Sequence, residues 1–414
     1  MARAAVDAGA RLGSVRTVTG ESTVPAPALR VLAASLLARA PQGMAPLALI
    51  LLVQERTSSL TAAGLASGAW GLGVAVGQPL WARPAARGRA GIVIAATAAL
   101  QAGVLVLVAW LPWSAPAAGI ALAGLGGLLG APITSVARTL WPELAPRPKA
   151  LDRLFTLDAT SQEVIWIAGP ALVGLLLAVS GTTAAVVGTA AGGGLGGVWF
   201  ARTIAPVWQP HPAPDGPTGF ARKLVAPWLA LAIAALGLGL TEVAVPAAAI
   251  LDGRRDAAAW LLAVWSVGSL AGGLLAARFP STTDPALRVP GYLALLAAGS
   301  GLTAAIWSAG LGWLAAALFV TGLGLAPTLA ALYGVVSRLV PASRRTQAYA
   351  VGTTFALAGI AVGSALGGVL SEQAPTGAFG AAGVASAVAA AGWWAWVQRT
   401  RSTRPSSHTG SSAS

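Results

Sequence analysis

Residues 70–83 read WGLGVAVGQPLWAR, and residues 265–278 read WSVGSLAGGLLAAR. Six identities coincide at one offset of 195: Trp70 with Trp265, Gly73 with Gly268, Gly77 with Gly272, Leu80 with Leu275, Ala82 with Ala277 and Arg83 with Arg278. Each segment closes a charge-free run, residues 57–82 in the first case and 257–277 in the second. Runs of this kind reach the ~20 apolar residues that carry a helix across a bilayer. In lipid the backbone must satisfy its own hydrogen bonds, which leaves helices and closed barrels. These runs are too long and too continuously apolar for barrel strands. The pair therefore predicts an all-α polytopic membrane protein built from a duplicated unit.

The rest of the chain extends the pattern. At the same offset, Gly127, Ala131 and Pro132 meet Gly322, Ala326 and Pro327. At an offset of 200, Pro46, Ala48, Ile50 and Leu51 meet Pro246, Ala248, Ile250 and Leu251, and Gln42 falls opposite Glu242. The expected transmembrane helices are twelve, at 29–53, 60–82, 91–111, 116–138, 156–179, 182–202, 225–251, 257–278, 290–308, 312–338, 347–371 and 375–397. A Pro- and Gly-rich break around residues 205–223 divides them six and six. The expected organisation is an N-terminal tail (1–28), a six-helix bundle (29–203), a linker (204–224), a second six-helix bundle (225–398) and a C-terminal tail (399–414).

Composition agrees. Of 414 residues, 56% are hydrophobic and only 9% charged, with a mean hydropathy of +0.73. A soluble domain carries about 25% charge. The net charge of +13, from 26 basic and 13 acidic residues, would alone suggest nucleic-acid binding. With the N-terminus inside, however, every basic residue except Arg39, Arg56, Arg254 and Arg255 falls on the inner side of the spans. That is an insertion code facing anionic lipid, and it predicts a bacterial cytoplasmic membrane protein with both termini cytoplasmic. The chain has no Cys, and its two His, His211 and His408, lie outside the spans, so no metal, haem or disulfide site is expected. There is no P-loop, and Gly192-x-Gly194-x-x-Gly197 follows no strand. ATP, nucleic acid and cofactors are not expected partners; lipid, a small solute and protons are.

Two six-helix halves in parallel repeat, joined by a cytoplasmic linker, resemble the major facilitator superfamily of secondary transporters, of the bacterial permease or efflux type. The resemblance covers residues 28–398 and implies a substrate site at the midplane between halves. The family's loop signature is a Gly followed by an Asp-Arg-x-Gly-Arg-like run. It is matched here by Gly77 through Arg83 and then Arg87-Gly88-Arg89, with Ala86 in the acidic position. It recurs at Gly272 and Arg278. The resemblance gives these residues a conformational role and leaves the family's acidic latch without its Asp. Gly169-Pro170-Ala171-Leu172-Val173-Gly174 loosely resembles the Gly-Pro motif of proton-coupled exporters, without its terminal Gly pair.

Charge within a span costs at least about 2.5–3.5 kcal/mol and so marks candidate function. Arg39, Asp158, Glu163 and Glu242 qualify, all on spans that the resemblance places at the cavity. Arg39 can pair with Glu163 or Asp158; Asp158 can instead mark a helix start, since Asp is common in first turns. Glu242 has no basic residue in its own half's spans. It is the leading proton-coupling candidate, with Glu163 and Asp158 behind it; the bland alternative is a permanently protonated, hydrogen-bonded Glu. Pro46 and Pro246 free a backbone carbonyl and suggest irregular helix beside a cavity. Gln42 and Tyr333 are candidate substrate contacts. Trp70 and Trp265 can stack on an aromatic substrate or simply pack.

The expected function is alternating-access secondary transport of a small organic solute, in the direction of proton-coupled export of a drug-like or amphipathic metabolite. Nutrient uptake is the alternative, and a non-transporting receptor or scramblase on the same scaffold is the alternative of another class. An enzyme is not expected, because no catalytic set is available at depth.

Overall fold

A computed structural model describes residues 23–210, 221–278, 284–341 and 345–402. Among them the secondary structure is helical: α1 (Ala26–Ala38), α2 (Ala40–Thr57), α3 (Leu60–Pro84), α4 (Ala90–Trp110), α5 (Pro116–Leu128), α6 (Ile133–Leu144), α7 (Pro148–Ile204), α8 (Ala221–Leu251), α9 (Ala257–Arg278), α10 (Pro285–Ile306), α11 (Leu311–Leu323), α12 (Leu325–Leu339), α13 (Arg345–Ser371) and α14 (Pro375–Ser402). Among the described residues ten stretches are long and apolar enough to cross a membrane, so the chain is a multi-pass membrane protein.

Two of the ten stretches are double. Leu60–Trp110 is interrupted by a π-turn at Ala85–Arg89, where Gly88 takes φ 91°. Pro148–Ile204 is interrupted at Gly181 (φ 80°, ψ −176°), a conformation that only Gly adopts at little cost. Beyond it the chain folds back, for Gly188 packs on Leu176; in one straight helix they would stand ~18 Å apart.

Local chemistry sets the remaining ends. The Ser59 hydroxyl caps α3 by accepting from the Ala62 N–H at 3.1 Å, and Asp284 caps α10 through Ala286 N–H at 3.1 Å. Proline opens α1, α5, α7 and α10, where a missing N–H costs nothing. The expected spans 1, 4 and 10 are each broken in their middle, at Arg39, at residues 129–132 and at Gly324. The last two breaks are again 195 apart. Span 7, by contrast, runs unbroken through Pro246 as α8.

The sequence repeat recurs as a repeat of contacts. Gly73 sits on the Gly124 carbonyl and Gly268 on that of Phe319. Gly77 sits on the Leu128 carbonyl and Gly272 on that of Leu323. Gly127 and Gly322 sit on the carbonyls of Trp70 and Trp265. Every partner obeys the offset of 195, and a Cβ at any of these glycines would strike backbone. Small residues let helix backbones approach closely in lipid, where no hydrophobic force holds them together.

Contacts between α1–α7 and α8–α14 concentrate toward one end. Gly64 packs on Ser364 and Gly368, Gly68 on the Ala361 carbonyl, and Gly71 faces the Ala361 side chain. At that end Arg255 reaches Glu55 at 2.6 Å and Gln54 at 2.8 Å. Glu372 accepts from the Thr61 N–H at 2.6 Å and its hydroxyl at 2.9 Å. Toward the other end the helices part: Ser135 and Arg138 on α6, Ala330 on α12 and Thr353 and Thr354 on α13 are exposed.

Candidate functional site

The charged heart of the first half is a carboxylate held by two guanidiniums. Arg39 stands at the α1–α2 break and is fully buried. Its Nη2 donates to Asp158 Oδ1 at 3.0 Å, to Ser35 Oγ at 2.8 Å and to Ser161 Oγ at 3.3 Å. Nε donates to the Ser35 carbonyl at 3.2 Å, and Nη1 to Gln162 Oε1 at 3.3 Å. Gln162 passes the network on to Gln42 at 3.4 Å. The second oxygen of Asp158 accepts from Arg138 Nε at 2.7 Å. Asp158 is 1% exposed, whereas Arg138 is 48% exposed. Among the described side chains two cations face one anion, a net charge of +1, and Arg138 is the exposed member.

Arg39 stands between α1 and α2, and Pro41, which lacks an N–H, lies in the first turn of α2. From there the Arg39 side chain reaches across to α7. The two helices are drawn together where Gly43 and Gly169 lie backbone to backbone, Pro170 following in the buried core. The structure thus pairs Arg39 with Asp158. It also corrects the reading of Asp158 as a first-turn residue: α7 begins at Pro148, so Asp158 lies well inside the helix and is buried.

The second half carries a neutral counterpart. Tyr333 and Thr353 lie 195 positions beyond Arg138 and Asp158. Their hydroxyls are 3.2 Å apart, just as the first pair is bonded. Tyr349 meets the Tyr333 ring edge-on at 5.7 Å.

The sequence profile of the Major Facilitator Superfamily matches residues 227–413. Residues 227–413 are thus similar in sequence to the major facilitator superfamily. An uncharacterized MFS-type transporter, y4rN, of Sinorhizobium fredii (strain NBRC 101917 / NGR234) is 38% identical over 94 residues, 23% of this chain and 22% of that protein. Solved structures of the superfamily fold align along almost the whole length. A peptide transporter POT variant in complex with alafosfalin superposes with a TM-score of 0.69 at 16% identity, covering 91% of this chain and 95% of that one. The nucleoside transporter NupG gives 0.67 at 13% identity, covering 90% and 100%. A bacterial homologue of the iron transporter ferroportin in an inward-facing state gives 0.65 at 14% identity, covering 89% and 98%.

Within the superfamily fold the other expected site residues divide. Glu242 lies on α8, partly exposed, with no hydrogen bond or ion pair among the described residues. Glu163 lies on α7, but its side chain is outside the described residues. Trp70 and Trp265 are buried within their own halves at 4% and 8% exposure. Trp70 packs on Gly126, and Trp265 lines a small pocket with Thr241, Ser300 and Thr321. Gly77, Gly272, Gly169 and Pro170 serve helix approach, whereas Arg83 and Arg278 are exposed at helix ends. Pro46 is half-buried inside α2 and Pro246 buried inside α8.

Arg138 closes the expected span 116–138; the helix runs on to Leu144, so Arg138 lies inside α6, where it binds Asp158. The signal was present in the repeat, because Arg138 and Asp158 align with Tyr333 and Thr353.

Proposed function

We propose that the chain is an alternating-access secondary transporter of a small organic solute, coupled to protons and seated in a bacterial cytoplasmic membrane with both termini inside. The observation that carries this reading is the asymmetry of contact between the two sets of helices. Glycine-to-backbone packing and polar bridges join them at the end of Arg255 and Glu372, while Arg138, Ala330 and Thr353 stay open at the other. By the distribution of basic residues, the closed end faces outward and the open end the cytoplasm. A chain built to rock between two such states needs two halves of similar size and a polar centre; the contacts repeated at an offset of 195 and the Arg39–Asp158–Arg138 cluster support that reading.

Glu242 is the proposed proton carrier. It sits in a spanning helix at the position equivalent to Gln42, and no described side chain offers it a cation. Such a carboxyl can be emptied and filled without breaking an ion pair. Asp158 is held by two guanidiniums and is the poorer candidate.

The test is solute counterflow in proteoliposomes, screened over labelled organic acids, sugars and amphipathic amines. The reading expects at least one solute to exchange through the wild-type protein. Glu242→Gln should keep exchange and lose proton-driven accumulation. Retained accumulation in that variant removes Glu242 from the coupling. Transfer of labelled lipid without solute exchange would instead indicate a scramblase.

A further inference from the structure

The repeat gives the two halves equivalent positions facing the opening, and it fills them differently. On α6 and α7 stand Arg138 and Asp158; on α12 and α13 stand Tyr333 and Thr353. One pair is ionic and the other is a pair of hydroxyls, each closed by a single bond between residues twenty apart in sequence. The ionic side does not cancel. Asp158 is shared with the fully buried Arg39, which among the described side chains leaves one positive charge in excess. Arg39 cannot offer that charge to a solute, because its three nitrogens are committed to Ser35, Ser161, Gln162 and Asp158. Arg138 can. It spends only Nε on Asp158, its side chain is 48% exposed, and its two Nη groups have no hydrogen-bond partner among the described residues. The Asp158 bond fixes the plane of the guanidinium and leaves a planar two-donor edge, the geometry that grips a carboxylate or phosphate in bidentate fashion. At the equivalent position of the second half, the Tyr333 hydroxyl, bonded to Thr353, supplies a further polar group.

Resting on the transport reading above, we propose that the substrate is an organic anion whose headgroup binds the free edge of Arg138, opposite Tyr333. The described residues around this edge bring no uncompensated acid to it; Asp158 is already saturated by its two arginines. A cationic solute would meet the excess positive charge at the mouth and be repelled.

The absence of native cysteine makes the test direct. Single cysteines are placed at Ser135, one turn before Arg138, and at Ala330, its counterpart on α12. Both positions are exposed. Labelling rates of the purified full-length chain are measured with an anionic and a cationic methanethiosulfonate, ethylsulfonate and ethyltrimethylammonium, normalised to a free thiol. One unscreened positive charge a few ångströms away favours the anionic reagent by about tenfold. Arg138→Gln should abolish the preference and Arg138→Lys should keep most of it. Octanoate should slow labelling at Ser135→Cys, and octanamide should not. Equal rates for the two reagents, a preference that survives Arg138→Gln, or equal protection by acid and amide would each overturn the assignment. Labelling needs no turnover, so a protein that fails in counterflow but keeps the charge preference contradicts transport and not the anion site. A protein that exchanges only neutral or cationic solutes and shows no preference does the reverse.

Discussion

Arg138 Nε donates to Asp158 Oδ2 at 2.7 Å, and 195 residues further on Tyr333 and Thr353 make the same connection between hydroxyls at 3.2 Å. The second half shows what the scaffold alone requires at this place, a single polar bond joining α12 to α13. The charge on the first half is therefore an addition, and Arg39 is what makes it possible to bury. Without Arg39, Asp158 would have one partner and no surplus cation would remain.

Asp158→Asn should be strongly destabilising. Arg39 would stay fully buried with its carboxylate gone, and stranding one member of a buried pair costs about 3–5 kcal/mol. Arg138→Gln should cost below ~1 kcal/mol, because its half-exposed charge is screened by water. Adding Arg39→Leu to Asp158→Asn should recover part of the loss, since the stranded cation is then removed. Denaturation of the detergent-solubilised variants measures all three. An Asp158→Asn protein as stable as wild type would show that the Arg39 pair bears no weight.

Gly77→Ala and Gly272→Ala should destabilise to a similar degree, by roughly 1–3 kcal/mol, because each new methyl meets a carbonyl of the neighbouring helix. Gly301→Ala is the control, with nothing within 4 Å of the added carbon, and should be neutral or slightly stabilising through helix propensity. Thermal midpoints of the three variants decide it. A tolerated Gly77→Ala would mean that α3 and α5 can separate without cost.

These cases mark how far the sequence reaches. Charge-free runs name the spans because lipid leaves the backbone one choice, and the Trp, Gly and Arg repeat names the glycines because their carbonyl partners repeat with them. Where a side chain goes is a different matter. Asp158 looks like a helix-start residue when hydropathy begins the helix near 156, but α7 starts at Pro148, with a polar first stretch that carries Lys149 and Arg153. Arg138 looks like the last residue of its helix for the converse reason: α6 continues past the apolar run to Leu144. Hydropathy reports the membrane slab and not the length of the helix that pierces it. The break at Arg39 was equally hidden, because flanking prolines indicate irregularity without saying which residue it releases.

The bridges at the closed end should set the balance between conformations more than the stability of either. Arg255 and Glu55 are 34% and 42% exposed, so their bond is worth at most about 1 kcal/mol. That is still about a fivefold shift in a two-state population. Arg255→Gln should therefore raise the reactivity of a cysteine placed at Ser364, now covered by Gly64, by about that factor, without lowering the thermal midpoint. Unchanged reactivity would leave the bond as surface decoration.

Glu372 is placed to show whether the closed end must open for function. It directly follows α13, and its carboxylate accepts from the backbone N–H and hydroxyl of Thr61 in the first turn of α3, where the helix dipole favours an anion. The contact joins the first half to the second across the closed end. If the protein works by alternating access, the contact must break in every cycle. Thr61→Cys with Glu372→Cys should then form a disulfide on mild oxidation, arrest solute exchange in proteoliposomes, and regain it on reduction, while each single variant keeps exchange under both conditions. The cross-linked protein should still label at Ser135→Cys from the open end, because that opening does not depend on the closed one. Exchange that continues through the cross-linked protein would mean that solute passes without separation at Thr61 and Glu372, and alternating access would have to be abandoned for this chain.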